Sequence, residues 1–173
     1  MNDLKKNINK NYKVAYNTVE FDICETQGRI YEIMAINGYD MKLSSDLYLH
    51  SDFCRRYFDT IYSRFQVADA EESIDFIIPE IKDKIKVLDD NKEFSPKVAY
   101  WIGFTYRQLY METDIPSNEL GDKISFEKMC AYYPGLHTID ENMASDIICM
   151  NFNLTNKSHS KNINRLKSQE LEM

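Results

Sequence analysis

Residues 99–117 have the sequence AYWIGFTYRQLYMETDIPS, and the fold depends on them more than on any other stretch. The first twelve of these residues include the only Trp of the chain, three Tyr and one Phe, with Arg107 as the single charge. On a helix of about 100° per residue, residues 97–112 are apolar on nearly all sides. Such a helix is usually buried, so we predict that residues 96–112 form the central helix, with Trp101 in the core.

One narrow strip of this helix carries its remaining polar features: Tyr100, Gly103, Arg107 and Tyr110. A Gly in the middle of a helix costs about 1 kcal/mol relative to Ala, so Gly103 indicates the close approach of another backbone or of a ligand. Arg107, beside two Tyr hydroxyls, could bind a carboxylate or a phosphate through paired hydrogen bonds. The structural alternative is that Arg107 pairs with an internal Asp or Glu while the Tyr side chains extend toward solvent.

A second aromatic cluster lies in residues 130–140, CAYYPGLHTID. The dipeptide Pro134-Gly135 predicts a type II turn there. The turn would place Tyr133 and His137 near the start of the next helix, where an anion can bind. We therefore add Tyr133 and His137 to the candidate binding residues of the strip.

Spacings typical of catalytic or cofactor sites are missing from the sequence, which has no GxSxG, P-loop, GxGxxG or HExxH motif. The other histidines, His50 and His159, lie far from His137 in the sequence. The four cysteines have no CxxC or zinc spacing and are expected to be reduced, mostly buried thiols. We predict no metal, no cofactor and no assigned catalytic residue. A Cys130–His137 dyad stays open, because catalytic partners meet in space.

The remainder of the body has helical periodicity and predicts an all-α bundle of about seven helices, with little or no sheet. Asn37-Gly38 is expected to end the first helix, and a short strand at residues 19–23 is the minor alternative. Residues 52–65, DFCRRYFDTIYSRF, are predicted to form one helix that buries Ile61 on the same face as Phe58. The predicted N-cap residues, some of them the first residue of a capping box, are Asn17, Ser51, Asp69, Ser95, Ser117, Ser125 and Thr138.

Composition and charge limit the class of protein. The formal charge of −7 and the isoelectric point near 5.0 disfavour direct nucleic-acid binding and suit a basic protein partner. No apolar segment is long enough to span a bilayer, and the N-terminus lacks a signal sequence, so a cytoplasmic protein without membrane contact is expected. Residues 1–12 are predicted to form a flexible arm, residues 13–154 a single helical domain and residues 155–173 a polar tail.

Three segments carry a resemblance to a known family: SDFCRRYFDTIYSRFQVADAEESIDFIIPEI, AYWIGFTYRQLYMETDIPSNEL and YYPGLHTID. Together they resemble a family of small, largely uncharacterised bacterial proteins over residues 40–150. Genes of that family lie beside genes for ADP-ribosyltransferase-like toxins. The resemblance implies a toxin–antitoxin or related defence context, and it assigns no catalytic residue.

These observations favour a non-enzymatic interaction protein, most simply an antitoxin that binds a toxin encoded next to it. An inhibitor of a host nuclease defence system, encoded on a mobile element, belongs to the same binding class. The alternative of a different class is a small enzyme or nucleotide-binding protein that uses Arg107 and His137. A surface pocket joining Tyr100, Arg107 and His137 would favour that alternative, and a packed interior would disfavour it.

Overall fold

The structure, a computed structural model, describes residues 18–89 and 92–154. The predicted arm (residues 1–12), the polar tail (155–173) and the predicted N-cap Asn17 lie outside the described residues. The all-α prediction is confirmed, since the described residues form eight α-helices and a short 3-10 helix, with no strand. None of these helices is long and apolar enough to cross a bilayer. They are α1 (Thr18–Ile36), α2 (Met41–Leu49), α3 (Asp52–Tyr57), the 3-10 helix (Arg64–Gln66), α4 (Ala70–Ile81), α5 (Pro96–Thr113), α6 (Ser117–Lys123), α7 (Phe126–Leu136) and α8 (Glu141–Asn151).

Helices α1 and α5 pack closely at the centre of the fold. Two glycines allow this approach, because a Cβ atom at Gly103 would lie 2.8 Å from the carbonyl oxygen of Gln27, and one at Gly28 would lie 2.9 Å from that of Tyr100. The close approach inferred from Gly103 is therefore made by another helix. The buried residues of α5 are Ala99, Ile102, Gly103, Phe104, Thr105, Tyr106, Arg107 and Leu109.

Trp101 departs from the prediction that it lies in the core. The Trp101 side chain is only partly buried. It packs against α7, where the centroid of its ring lies 5.7 Å from that of Tyr133. α5 is apolar on nearly all sides, but α7 covers the side that carries Trp101 incompletely. Helical periodicity alone did not reveal which flank would be covered.

Several predicted helix boundaries agree with the structure. α1 ends at Ile36, just before Gly38, whose φ of 80° is readily adopted only by Gly. Residues 19–23 are helical, which excludes the alternative strand. Ser51 and Ser125 cap α3 and α7, since their hydroxyls accept hydrogen bonds from the backbone N–H groups of Cys54 and Lys128. Ser95 and Asp69 are also N-cap residues, although neither makes a side-chain capping bond.

The single helix predicted over residues 52–65 is wrong. α3 ends at Tyr57, and a loop leads into the 3-10 helix that begins at Arg64. Ile61, which the periodicity placed on the buried face, is 99% exposed. The helix stops where the carbonyl of Phe58 and the carboxylate of Asp59 both accept hydrogen bonds from Arg107 of α5.

The turn predicted at Pro134-Gly135 is also wrong. Both residues lie inside α7, which continues to Leu136 because that side chain is buried against the core. His137 is therefore the C-cap of α7 and does not begin the next helix. The predicted N-cap Thr138 is wrong, because the N-cap of α8 is Asp140, whose carboxylate accepts from two backbone N–H groups. α6 begins one residue earlier than predicted, with Pro116 as its N-cap and Ser117 as its first residue.

Candidate functional site

Arg107 lies at the centre of a buried polar network and is 0% exposed. Its Nη1 donates to Asp59 Oδ1 at 2.8 Å and to the carbonyl oxygen of Phe58 at 3.1 Å. Its Nη2 donates to Ser117 Oγ at 2.9 Å, and its Nε donates to Gln27 Oε1 at 2.8 Å. These are the contacts of the structural alternative, in which Arg107 pairs with an internal carboxylate.

The charge of Arg107 is retained despite burial. Burial alone would lower the pKa of Arg107, but the neighbouring side chains of Cys54, Tyr48 and Asp59 outweigh it and raise that pKa. Burial also raises the pKa of the Cys54 thiol, which is therefore protonated. Asp59 consequently supplies the counter-charge, at the 2.8 Å distance of a charge-assisted hydrogen bond.

The same network fastens the loop of residues 59–63 at both ends. At its start, the backbone N–H of Ser117 donates to Asp59 Oδ2 at 2.8 Å, and its hydroxyl donates to Oδ1 at 2.5 Å. At its end, the buried amide of Gln66 donates to the carbonyl of Thr60 at 3.2 Å and accepts from the N–H of Ser63 at 3.1 Å. Buried side chains therefore set the path of a loop whose middle faces solvent.

Two neighbouring side chains of the loop are large, apolar and exposed. Ile61 is 99% exposed and Tyr62 is 78% exposed, and exposed apolar side chains that are grouped together often mark interaction sites. Val67 and Phe76 are also exposed, and the ring of Phe76 lies 5.1 Å from that of buried Phe65. We call the four exposed side chains the apolar patch: Ile61, Tyr62, Val67 and Phe76.

Next to the patch lies an open cleft of about 420 Å³ between α1 and the start of α4. Its single basic side chain, Arg29, is already paired with Glu32 and Glu71. Val67 lines this cleft as well as belonging to the apolar patch. The carboxylates that line it are Asp22, Glu25, Asp69 and Glu71, and we call it the acidic cleft.

The charge of the whole domain has the same sign as the cleft. Residues 18–154 contain 13 Lys and Arg against 25 Asp and Glu, which gives them a net charge of −12. The formal charge of the full chain is only −7, because both chain ends carry an excess of Lys and Arg. The domain is therefore more acidic than the composition of the chain suggests.

The structure does not bring the sequence-predicted binding residues into one site. Tyr100 lines the acidic cleft, whereas Gly103 packs against Tyr31 and Gln27. Arg107 is fully buried, with its guanidinium carbon 4.7 Å from the ring centroid of partly buried Tyr110. Of the four residues in the strip, Tyr100 lines the cleft, Tyr110 is partly exposed, and Gly103 and Arg107 are buried.

Tyr133 and His137 lie elsewhere, on the flank of α5 that α7 covers. Their rings stack at 4.1 Å, and the Nδ1 atom of His137 lies 2.5 Å from the carbonyl oxygen of Tyr133. His137 is exposed to solvent, and Arg107 is not. The two residues therefore share no surface that a substrate could contact.

The thiols have the wrong ionisation for nucleophilic catalysis. Burial raises the pKa of all four cysteines, to about 12 for Cys149, so each is held as the thiol near neutral pH. The shift at Cys130 has the nearby charge of Glu127 as a second cause. The conceivable Cys130–His137 dyad consequently lacks an activated thiolate.

A cluster around His50 was not among the predicted sites, although Asp46 and His50 are four residues apart, a spacing that places them on one helix face. Nε2 of His50 lies 2.9 Å from Asp122 Oδ1, and Nδ1 lies 3.3 Å from Asp46 Oδ1. Burial would lower the pKa of His50, but the hydrogen bond to the Asp46 carbonyl and the two carboxylate charges raise it. The two ring nitrogens face different carboxylates, so the cluster is an ion-pair bridge between α2 and α6 and carries no argument for a metal ion.

Glu112 is a second group that the sequence did not single out. Ser145 on α8 donates its hydroxyl to this carboxylate at 2.7 Å, which joins α5 to α8. Burial raises the pKa of Glu112 to about 7 and outweighs the hydrogen bond from Ser145, with the charge of Asp146 adding to the increase. Glu112 therefore changes its charge near neutral pH.

We expect Glu112→Gln to stabilise the protein at pH 8. Between pH 4.5 and about 7 the native state binds the Glu112 proton more tightly than the unfolded state, so stability falls as the pH rises through this window. The carboxylate is partly solvated, so we discount the full shift and expect a gain of about 1–2 kcal/mol. Urea denaturation at pH 5 and pH 8 measures the effect, with exposed Glu93→Gln as the control. An equal gain at both pH values would contradict the expectation.

Comparison with known proteins adds no assignment, since the chain matches no family model, no curated protein and no solved structure. The candidate site consequently rests on its own geometry: a fixed apolar patch beside an acidic cleft. Its central feature, the loop of residues 59–63, was hidden from the sequence because those residues continue the helical periodicity of α3.

Proposed function

We propose that the protein acts by one-to-one binding to a protein partner, as an antitoxin or similar inhibitor, and catalyses no reaction. The observation that carries this proposal is the apolar patch, whose most exposed side chains are presented by a loop fastened to a buried network. Exposed Ile and Tyr side chains cost solvation free energy in the free protein, and burial against a partner would recover it.

The way in which the loop is held supports binding. A loop already fixed by Asp59 and Gln66 loses little conformational entropy when a partner covers it, which favours affinity. Aromatic side chains such as Tyr62 commonly contribute much of the energy of protein interfaces. The buried network therefore acts on function by positioning the patch.

The contacts of Arg107 favour binding over catalysis. A guanidinium has five N–H donors, and here Gln27, Phe58, Asp59, Ser117 and the Cys54 sulfur accept them. No donor is left to bind a substrate carboxylate or phosphate. The resemblance to proteins encoded beside ADP-ribosyltransferase-like toxins supports the antitoxin form of the proposal.

The test is to co-express the protein with the product of the adjacent gene and to vary the ratio of the two. We expect protection of cells to rise in proportion to a one-to-one complex and to reach its maximum at equal amounts, because masking consumes one molecule per partner. Size-exclusion chromatography with light scattering gives the composition of the complex.

Protection at strongly substoichiometric amounts would overturn the proposal and indicate an enzyme that reverses the partner's modification. His137→Ala separates the two classes further. Since His137 is the exposed C-cap of α7 and belongs to neither the patch nor the cleft, this variant should keep full protection, whereas an enzyme that depends on His137 would lose it.

A further inference from the structure

We infer that the apolar patch and the acidic cleft form one docking surface for a partner segment that carries Lys or Arg beside a large apolar side chain. The inference rests on the proposed function, to which it adds the binding surface and the chemistry of the partner.

The two features meet at Val67, which follows buried Gln66. The amide of Gln66 bonds to the carbonyl of Thr60, which precedes Ile61, so residues 60 and 66 lie side by side. Val67 follows Gln66 and lines the acidic cleft. Thr26 of α1, another cleft residue, donates its hydroxyl to the carbonyl of Gln66 at 2.9 Å. Val67 is therefore common to the patch and the cleft, and a partner segment that covers Val67 contacts both.

The charge of the surface selects a basic segment. Four carboxylates line the cleft, where the single basic side chain, Arg29, is engaged by Glu32 and Glu71. Beside the patch, exposed Arg64 is paired with Glu72. An anionic or neutral segment would lose hydration of these carboxylates without gaining a compensating charge. A Lys or Arg side chain supplies the compensating charge. The excess negative charge of residues 18–154 would also steer such a segment during association.

The shape of the surface favours a protein segment over a small molecule. Ile61 projects from the domain with 99% of its surface exposed, so a ligand must enclose it. Small-molecule sites are instead concave and enclose the ligand. The chain's own C-terminal residues 155–173, with four Lys and Arg against two Glu, have the same chemistry and are the competing occupant.

The experiment uses the full chain and three fluorescent peptides of equal length, built from Arg and Leu, from Glu and Leu, and from Arg and Ser. Binding is measured by fluorescence anisotropy at low and at physiological salt. We expect the Arg–Leu peptide to bind most tightly and the Glu–Leu peptide not to bind. The affinity should fall with added salt, because cleft carboxylates at the surface are screened.

Matched variants locate the site. E25Q/D69N removes two charges from the cleft and should weaken Arg–Leu binding about 3–10-fold at low salt, whereas E127Q/E141Q removes two charges from α7 and α8 and should not. Ile61→Ser should weaken binding about tenfold, whereas Met150→Ser, a change at another exposed apolar residue, should not. Thermal melting of each variant excludes loss of folding as the cause.

Equal binding by the site variants and their controls, equal binding of the Glu–Leu peptide, or no binding of the Arg–Leu peptide would overturn the inference. A gain in peptide affinity in K157S/K161S/R165S would also overturn it, by identifying the chain's own C-terminal segment as the occupant. The proposed function has a separate test, because protection of cells at substoichiometric amounts of this protein would contradict it whether or not the peptides bind. A one-to-one partner complex that Ile61→Ser leaves intact would refute the docking surface alone.

Discussion

Replacing Arg107 with Leu is expected to lower the free energy of unfolding by about 3–5 kcal/mol, a large share of the stability of an ordinary domain. The substitution leaves Asp59 as a nearly buried charge without its partner, since the Asp59 side chain is only 10% exposed. It also removes one hydrogen bond each from Gln27 Oε1 and Ser117 Oγ, although these atoms keep their bonds to the Tyr48 hydroxyl and to Asp59. An unpaired buried charge destabilises the folded protein by far more than the Arg107–Asp59 pair stabilises it. The expected loss therefore comes mainly from the stranded Asp59 carboxylate.

Urea denaturation followed by circular dichroism measures the loss. Arg55→Leu is the matched control, because Arg55 is exposed and pairs with exposed Asp52, and its loss should cost less than about 1 kcal/mol. The double variant R107L/D59L should recover part of the stability by removing the stranded charge. A cost for Arg107→Leu no larger than that for Arg55→Leu would show that the network contributes little.

The central helix could be predicted from sequence because its signal is local. Nearly all-round apolarity over residues 96–112 identified α5, and Gly103 correctly indicated a close helix contact. The partners of Arg107 gave no such signal. Asp59 lies 48 residues away and Gln27 lies 80 residues away, and a single sequence does not show which distant polar residues will meet.

The candidate site was missed for a related reason. The periodicity of residues 52–65 fits a helix as well as it fits the observed helix, loop and 3-10 helix. What decides between them is the bonding of Asp59 to Arg107 and of Gln66 to Thr60, which are tertiary contacts that override local preference. The residues that interrupt the helix are therefore the ones that create the exposed patch.

Gly103→Ala is expected to destabilise the protein by about 1–3 kcal/mol, even though helix propensity alone predicts a gain of about 1 kcal/mol. The new Cβ atom would lie 2.6 Å from Cγ of Tyr31 and 2.8 Å from the backbone oxygen of Gln27. Tyr31 is itself held by a 2.7 Å hydrogen bond between its hydroxyl and that of Ser45. Neither atom is the end of a flexible side chain, so α1 and α5 must move apart.

Gly135→Ala supplies the matched control for that prediction. Gly135 is also helical, near the end of α7, and a Cβ atom added there would meet nothing within 4 Å. It should therefore stabilise the protein by up to about 1 kcal/mol, through helix propensity without a clash. Urea denaturation of both variants tests the sign directly. Opposite signs would show that contact between α1 and α5 sets the cost at Gly103, whereas a gain in both would mean that the two helices pack less closely than the structure indicates.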